Sequence, residues 1–206
     1  MGIAERKERE KEDVRRRILE AAHDLFETRG YENVTMRAVA DAIEYSPTTI
    51  YHHFENKDAL VEALCFADFE RLSSAMNRGP LPKNPVERMK ALGRAYAAFG
   101  LANPNHYRFM FMTTGDWKKH AKDPESPPAK SYAVLRDAVE QAMEEGYFKK
   151  ADIDLVSQIV WGSLHGIVSL LITFKPDQFP HVPPRPGLVG ESMEVTLQGL
   201  LAESKR

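Results

Sequence analysis

Residues 46–60 read SPTTIYHHFENKDAL, and Thr48, Thr49, Tyr51, His52 and His53 crowd hydroxyls and imidazoles into one short stretch. Their shared chemistry is hydrogen bonding by groups that both donate and accept. Metal chelation fits them poorly, because neighbours on a helix point about 100° apart and His52 and His53 therefore diverge. The lone cysteine, Cys65, excludes an intramolecular disulfide and a cysteine-rich zinc site, and no HExxH, GxSxG or phosphate loop occurs. An enzyme is not expected: no catalytic residue, cofactor or metal site is assigned.

The elements that position this stretch are helical. Apolar residues recur at spacings of three and four along the chain, and no segment alternates like an exposed strand, so the fold class is all-α. Val14, Ile18, Ala22, Leu25 and Phe26 form the stripe of a first helix that Gly30 can end. Thr35 can cap a short second helix with Val39, Ala42 and Ile43 inward, and Ser46-Pro47 starts a third. Asn56 can cap a longer fourth helix through Leu60, Leu64 and Leu72. Proline and glycine then mark GPLPKNP (79–85), KDPESPPAK (122–130) and KPDQFPHVPPRPG (175–187) as connections. Helices are expected between them at about 85–102, 104–114, 130–146, 152–174 and 188–203.

On a helix over 47–54, Ile50 and Phe54 point one way and meet Val39 and Ile43. Thr48 and His52 then point outward, flanked by Thr49 and Tyr51. Two short helices joined by a tight turn, Glu44 to Ser46, with polar groups and rings exposed on the second, form a helix-turn-helix. Its second helix suits a DNA major groove, where threonine and imidazole groups can read base edges. Thr35, Tyr51 and Lys57 are candidate phosphate contacts, as is at least one of Arg15, Arg16 and Arg17.

The segment TMRAVADAIEYSPTTIYHHFENKDAL, with ILEAAHDLFETRGYENVT before it, resembles the DNA-binding domain of the TetR family of bacterial transcription regulators. The resemblance runs from about Val14 to Leu64. It implies recognition positions at Pro47, Thr48, Thr49, Tyr51, His52 and His53, and backbone contacts at Thr35, Arg37, Tyr51 and Lys57. Two departures stand out: the family commonly has glycine in the turn where this chain has Glu44, and Pro47-Thr48 replace a frequent lysine and glycine. A glutamate at Glu44 is costly if the backbone there has positive φ.

Charge does not announce a DNA partner. Residues 1–60 hold ten Lys/Arg and thirteen Asp/Glu, a formal −3, so any positive face must come from placement. The interleaved run RKEREKEDVRRR is read as a solvated helical extension in preference to a minor-groove arm. No apolar stretch follows the N-terminus, and the expectation is a cytoplasmic protein. VSQIVWGSLHGIVSLLITF (156–174) carries no charge over nineteen residues. With Gln158, His165 and three serines, it is read as a helix buried on two fronts and not as a membrane span.

The organisation expected is an N-terminal arm and three-helix DNA-binding domain (1–57), a connecting helix (58–79) and a larger helical domain for effector binding and dimerisation (80–206). The W…HG pattern of WGSLHG (161–166) resembles a C-terminal domain shared by many TetR-like proteins. By resemblance, the last two long helices would pair with those of a second copy, and Val189, Met193, Leu197, Leu200 and Leu201 supply a stripe on the last one. The domain is rich in rings and thioethers, Tyr96 among them. Phe99, Tyr107, Met110, Trp117, Met143, Trp161 and His165 are the candidate lining of an apolar effector pocket. The function expected is a homodimeric, ligand-responsive regulator, most simply a repressor, acting on a near-palindromic DNA operator. The alternative is a DNA-bound adaptor that recruits a protein without a small-molecule effector.

Overall fold

The computed structural model describes residues 2–112, 119, 122–178 and 187–205. Among these the chain is helical, with no named strand; an isolated bridge joins Phe148 and Leu201. Nine α-helices are described: α1 (Ile3–Arg29), α2 (Met36–Ala42), α3 (Pro47–His53), α4 (Lys57–Met76), α5 (Pro85–Ala102), α6 (Pro104–Met112), α7 (Pro127–Glu144), α8 (Ile153–Thr173) and α9 (Leu188–Leu200). The residues group into two compact units, Met1–Asp68 with Asn105–His120, and Phe69–Pro104 with Ala121–Arg206.

In the first unit the helix boundaries follow the capping chemistry in the sequence. The Thr35 hydroxyl accepts from the Ala38 amide at 3.1 Å, that of Ser46 from Thr49 at 3.3 Å, and the Asn56 amide oxygen from Ala59 at 2.9 Å. Gly30 ends α1 at φ 73°, its amide bonded to the Phe26 carbonyl. Ile18, Ala22, Val39, Ile50 and Leu60 are all but inaccessible and form the core beneath the short helices. The charged first turns of α1 are helical and solvated.

The second unit packs α5, α7, α8 and α9 together around Met89, Leu92, Val139, Val160, Leu164 and Leu197. Gly93 leaves room for Met193 of α9: a Cβ there would lie 2.6 Å from Met193 Cε, so the end of that side chain would have to move. The segment expected as a loop to residue 130 becomes helical at Pro127, because Ser126 accepts from the Ala129 amide and prolines occupy the first two positions, where no amide is needed. Helix α8 is long and apolar enough to cross a membrane by length and composition. Val156, Val160, Leu164 and Val168 are its buried stripe, while Leu155, Ile159 and Leu170 are exposed.

Candidate nucleic-acid interface and effector site

The α2–α3 pair is held by apolar contacts on one side and by α1 on the other. Ile50 and Phe54 are 0% and 3% exposed, inward beside Val39 and Ile43. Opposite them Pro47, Thr48, Tyr51 and His52 are exposed, with Thr49 and His53 half-buried. A large aromatic left 53% exposed on a seven-residue helix, as Tyr51 is, has its ring available to a partner. The Thr49 hydroxyl is 3.0 Å from that of Ser46, so it serves the helix start. His53 is held neutral more readily than usual: burial lowers its pKa, and Lys11, Arg15 and His52 add to the effect. Thr35 and Arg37 are exposed at the start of α2.

Three cations have local work. Lys57 donates to the Tyr31 carbonyl at 2.7 Å, and its ammonium lies 3.9 Å from the centroid of the Tyr31 ring. Arg17 donates to the Ile43 carbonyl at 3.3 Å and to the Tyr45 hydroxyl at 3.2 Å, which pins the end of α2. Arg15 donates to the His53 carbonyl at 3.4 Å, at the end of α3, and lies over the Phe54 ring. Both arginines put positive charge where a helix exposes unpaired carbonyls. They orient the two short helices from α1.

The turn between α2 and α3 has an unusual occupant. Glu44 adopts φ 59°, and it is the one non-glycine residue with positive φ among those described. Its amide bonds to the Asp41 carbonyl and the Tyr45 amide to that of Ala40, the paired bonds of a Schellman stop. The same motif ends α7, where Gly146 at φ 71° fills the equivalent place.

The candidate effector residues fall in both units. Phe99, Met143, Trp161 and His165 belong to the second unit, Tyr107 and Met110 to the first, and Trp117 lies outside the described residues. Tyr107 and Met110 are fully buried in α6. In the second unit Trp161 Nε1 donates to the Tyr96 hydroxyl oxygen at 3.2 Å, and that hydroxyl is 3.0 Å from His165 Nδ1. Burial lowers the pKa of His165 and favours the neutral ring; the Tyr96 hydroxyl accepts from Trp161, which leaves its own proton for Nδ1. A cavity of about 40 Å³ lies beside Tyr96 and Trp161, closed by Met76, Met89 and Met193. That is room for about one water.

A larger cavity, about 340 Å³, lies in the first unit, lined by Phe26, Tyr31, Cys65, Asp68, His106 and Phe109 among others. Phe109 packs on Phe26 and Tyr31 at centroid distances of 5.7 and 4.8 Å. Burial, reinforced by Asp68 and Glu62, pushes the Cys65 thiol up to about 12. It is a protonated core thiol at neutral pH and not a nucleophile.

Residues 18–64 match the family described as "Bacterial regulatory proteins, tetR family", and residues 89–191 match "Tetracyclin repressor-like, C-terminal domain". The chain belongs to the TetR family. It is similar to the HTH-type transcriptional repressor KstR2 of Mycobacterium tuberculosis (strain H37Rv), 29% identical over 157 residues, covering 69% of this chain and 74% of that protein. To the HTH-type transcriptional regulator UidR of Escherichia coli (strain K12) it is 40% identical over 62 residues, covering 30% of this chain and 32% of UidR. The chain thus spans about a third of UidR in that match. Among solved structures, a Rhodococcus sp. RHA1 protein of unknown function matches with TM-score 0.76 and 22% identity over 92% of this chain and 96% of that one. The structure of the ketosteroid transcriptional regulator KstR2 of Mycobacterium tuberculosis matches with TM-score 0.61 and 22% identity over the same shares. These structural likenesses are of fold.

Within this TetR-family chain the sequence pattern located the outward face of α3 and singled out Arg15, Arg16 and Arg17 for phosphates, but not the bonds by which two of them hold the helix ends. Their signal was the basic triplet at 15–17, whose alternate members face the ends of α2 and α3 while Arg16 pairs with Asp13 and Glu20 in solvent. The larger cavity had no such signal, because its walls come from α1, α4 and α6, which are distant in sequence.

Proposed function

We propose that this chain is a homodimeric TetR-family repressor that binds a near-palindromic operator in double-stranded DNA and is released by a small lipophilic or aromatic effector. The observation that carries the reading is the face of α3: Pro47, Thr48, Tyr51 and His52 exposed together, behind them a buried Ile50 and ends pinned by Arg15 and Arg17. Thr48 and His52 read base edges, with Thr49 and His53 at the margins. Tyr51, Thr35, Arg37 and Lys57 set register on phosphates. Lys57 has donors left after its bond to Tyr31, since an ammonium carries three.

Dimerisation supplies the second half-site, roughly one helical turn of DNA away. Leu155, Ile159 and Leu170 on α8 and Val195 on α9, the last 71% exposed, form an apolar face that supports pairing with a second copy. Such a covered helix is the protein of the cytoplasm and not of the membrane. Leu155→Glu with Ile159→Glu gives a monomer in sedimentation equilibrium; a dimer unchanged by the pair removes α8 from the interface.

Selection from a random duplex pool by the purified chain tests the DNA reading directly. Enrichment of an inverted repeat supports it, and no enrichment at low salt overturns sequence-specific binding. The cavity beside Tyr96 and Trp161, about 40 Å³ and too small for a lipophilic effector, favours the adaptor reading as runner-up. Release of the selected duplex by an apolar compound decides for the effector; retention of a protein from lysate on the duplex, with no compound active, decides for the adaptor.

A further inference from the structure

His23 and Glu27 stand one turn apart in α1 and so share a face. A donor atom from each and one from His106 in α6 all lie within 4.8 Å of one another. His106 is 4% exposed, and its Nδ1 is 2.6 Å from Oδ2 of Asp68, which is buried equally. A neutral imidazole that gives its Nδ1 proton to a carboxylate has its lone pair on Nε2. That Nε2 is buried and has no hydrogen-bond partner among the described residues. Buried polar groups are nearly always satisfied, so an orphaned nitrogen calls for a ligand. A histidine backed by a carboxylate on one nitrogen, with the other nitrogen vacant, is the usual arrangement of a metal-binding imidazole.

We propose that His23, Glu27 and His106 bind a divalent transition-metal ion of the zinc type, with Asp68 as the positioning residue behind His106. Two imidazoles and one carboxylate make a three-ligand set that leaves a fourth position for water. Cobalt and nickel take the same donors. The His23 ring is stacked on His106 with centroids 3.7 Å apart and planes 21° from parallel, so the lone pairs of the two rings lie in separate, nearly parallel planes. Bonds of about 2.0–2.1 Å to both nitrogens require them to converge. The half-buried His23 ring therefore turns out of the stack when the ion enters, and exposed Glu27 closes from the solvent side. The cavity of about 340 Å³ that His106 and Asp68 help line adjoins the ion.

The test uses the full chain without an affinity tag, stripped by chelator and titrated with cobalt(II), then with zinc(II) in a calorimeter. One ion per chain is expected, with the visible absorption of low-coordinate cobalt lost when zinc is added. His23→Ala and Glu27→Ala each weaken binding at least about tenfold. Both positions reach solvent, so their metal-free melting curves stay near the parent's. A His52→Ala, His53→Ala double variant binds as the parent does. Absence of cobalt absorption and zinc heat at about 100 μM metal would sink the proposal. So would binding that neither His23→Ala nor Glu27→Ala weakens. The readout contains no DNA, and its result is independent of the operator selection.

Discussion

Replacing Glu44 with glycine stabilises the protein. Glu44 holds φ 59° at the left-handed position of the stop that ends α2, where an L side chain costs roughly 1–2 kcal/mol. Glycine removes that cost but gives the unfolded chain more freedom, worth about 0.4–1 kcal/mol in the opposite direction. The difference is a gain of about 0.5–1 kcal/mol. For a chain of this length each kcal/mol moves Tm by about 2–4 °C, so Glu44→Gly raises Tm by about 1–4 °C in calorimetry at neutral pH. The side chain is exposed, and no hydrogen bond or ion pair among the described residues depends on it. Glu44→Ala is the discriminating control, because it removes the same charge while keeping a Cβ in the left-handed region. It leaves Tm at or below the parent's. If Glu44→Ala stabilises as much as Glu44→Gly, charge and not backbone strain governs this turn, and the argument from φ fails. Gly146→Ala is the reciprocal experiment at the end of α7: it imposes the penalty that Glu44 now carries and lowers Tm.

Thr48→Ala or His52→Ala each costs about 1–3 kcal/mol on the selected duplex and relaxes preference at one base pair, whereas Arg37→Ala weakens all duplexes alike and flattens the salt slope. Binding titrations on matched and single-substituted duplexes separate the two patterns, and uniform losses from all three would refute the assignment. Arg17→Met loses the bonds to Ile43 and Tyr45 at the end of α2. Because the guanidinium is exposed, the stability loss is about 1 kcal/mol or less, with a larger fractional loss of DNA affinity as α2 and α3 lose their orientation; unchanged DNA binding would leave Arg17 without a positioning role. His165 has a pKa below its ordinary 6.5 through burial, so below about pH 6.5 the unfolded chain takes up a proton that the folded chain resists. Stability is full above that pH and falls as pH drops toward the folded-state value. His165→Asn, which keeps an acceptor for Tyr96, has a shallower fall of Tm between about pH 7 and pH 5; an equal fall would exclude His165 as a source.

What could be read from the sequence is what depends on neighbours in the chain. Thr35, Ser46 and Asn56 cap helices because their oxygens reach amides two or three positions on, and Ile50 is buried because the helical period places it with Phe54. The outward side of α3 follows from the same period by subtraction. A left-handed residue in the turn is signalled by the resemblance alone, through the glycine common there, and Glu44 takes that conformation. The effector candidates divided between two units for the opposite reason. Aromatic and thioether side chains are the same in a core as in a pocket lining, and only tertiary packing decides which they become. Tyr107 and Met110 are buried in α6, while Tyr96, Trp161 and His165 form a polar network.

The Asp68–His106 pair is the strongest case of what local pattern cannot reveal. Asp68 falls on the inner stripe of α4 between Leu64 and Leu72, where a charge alone would be severely destabilising. A carboxylate in that position therefore requires a buried donor from elsewhere in the chain. His106 at the start of α6 supplies it, and in doing so exposes the same question on its own far nitrogen. An apolar residue at each position would fill the space without either demand, since replacing a buried pair by well-packed apolar side chains is often neutral or stabilising. The presence of both polar groups at a point where α1 contributes His23 and Glu27 fits the proposed ion, which would use the second nitrogen. A structural role alone leaves that nitrogen unexplained.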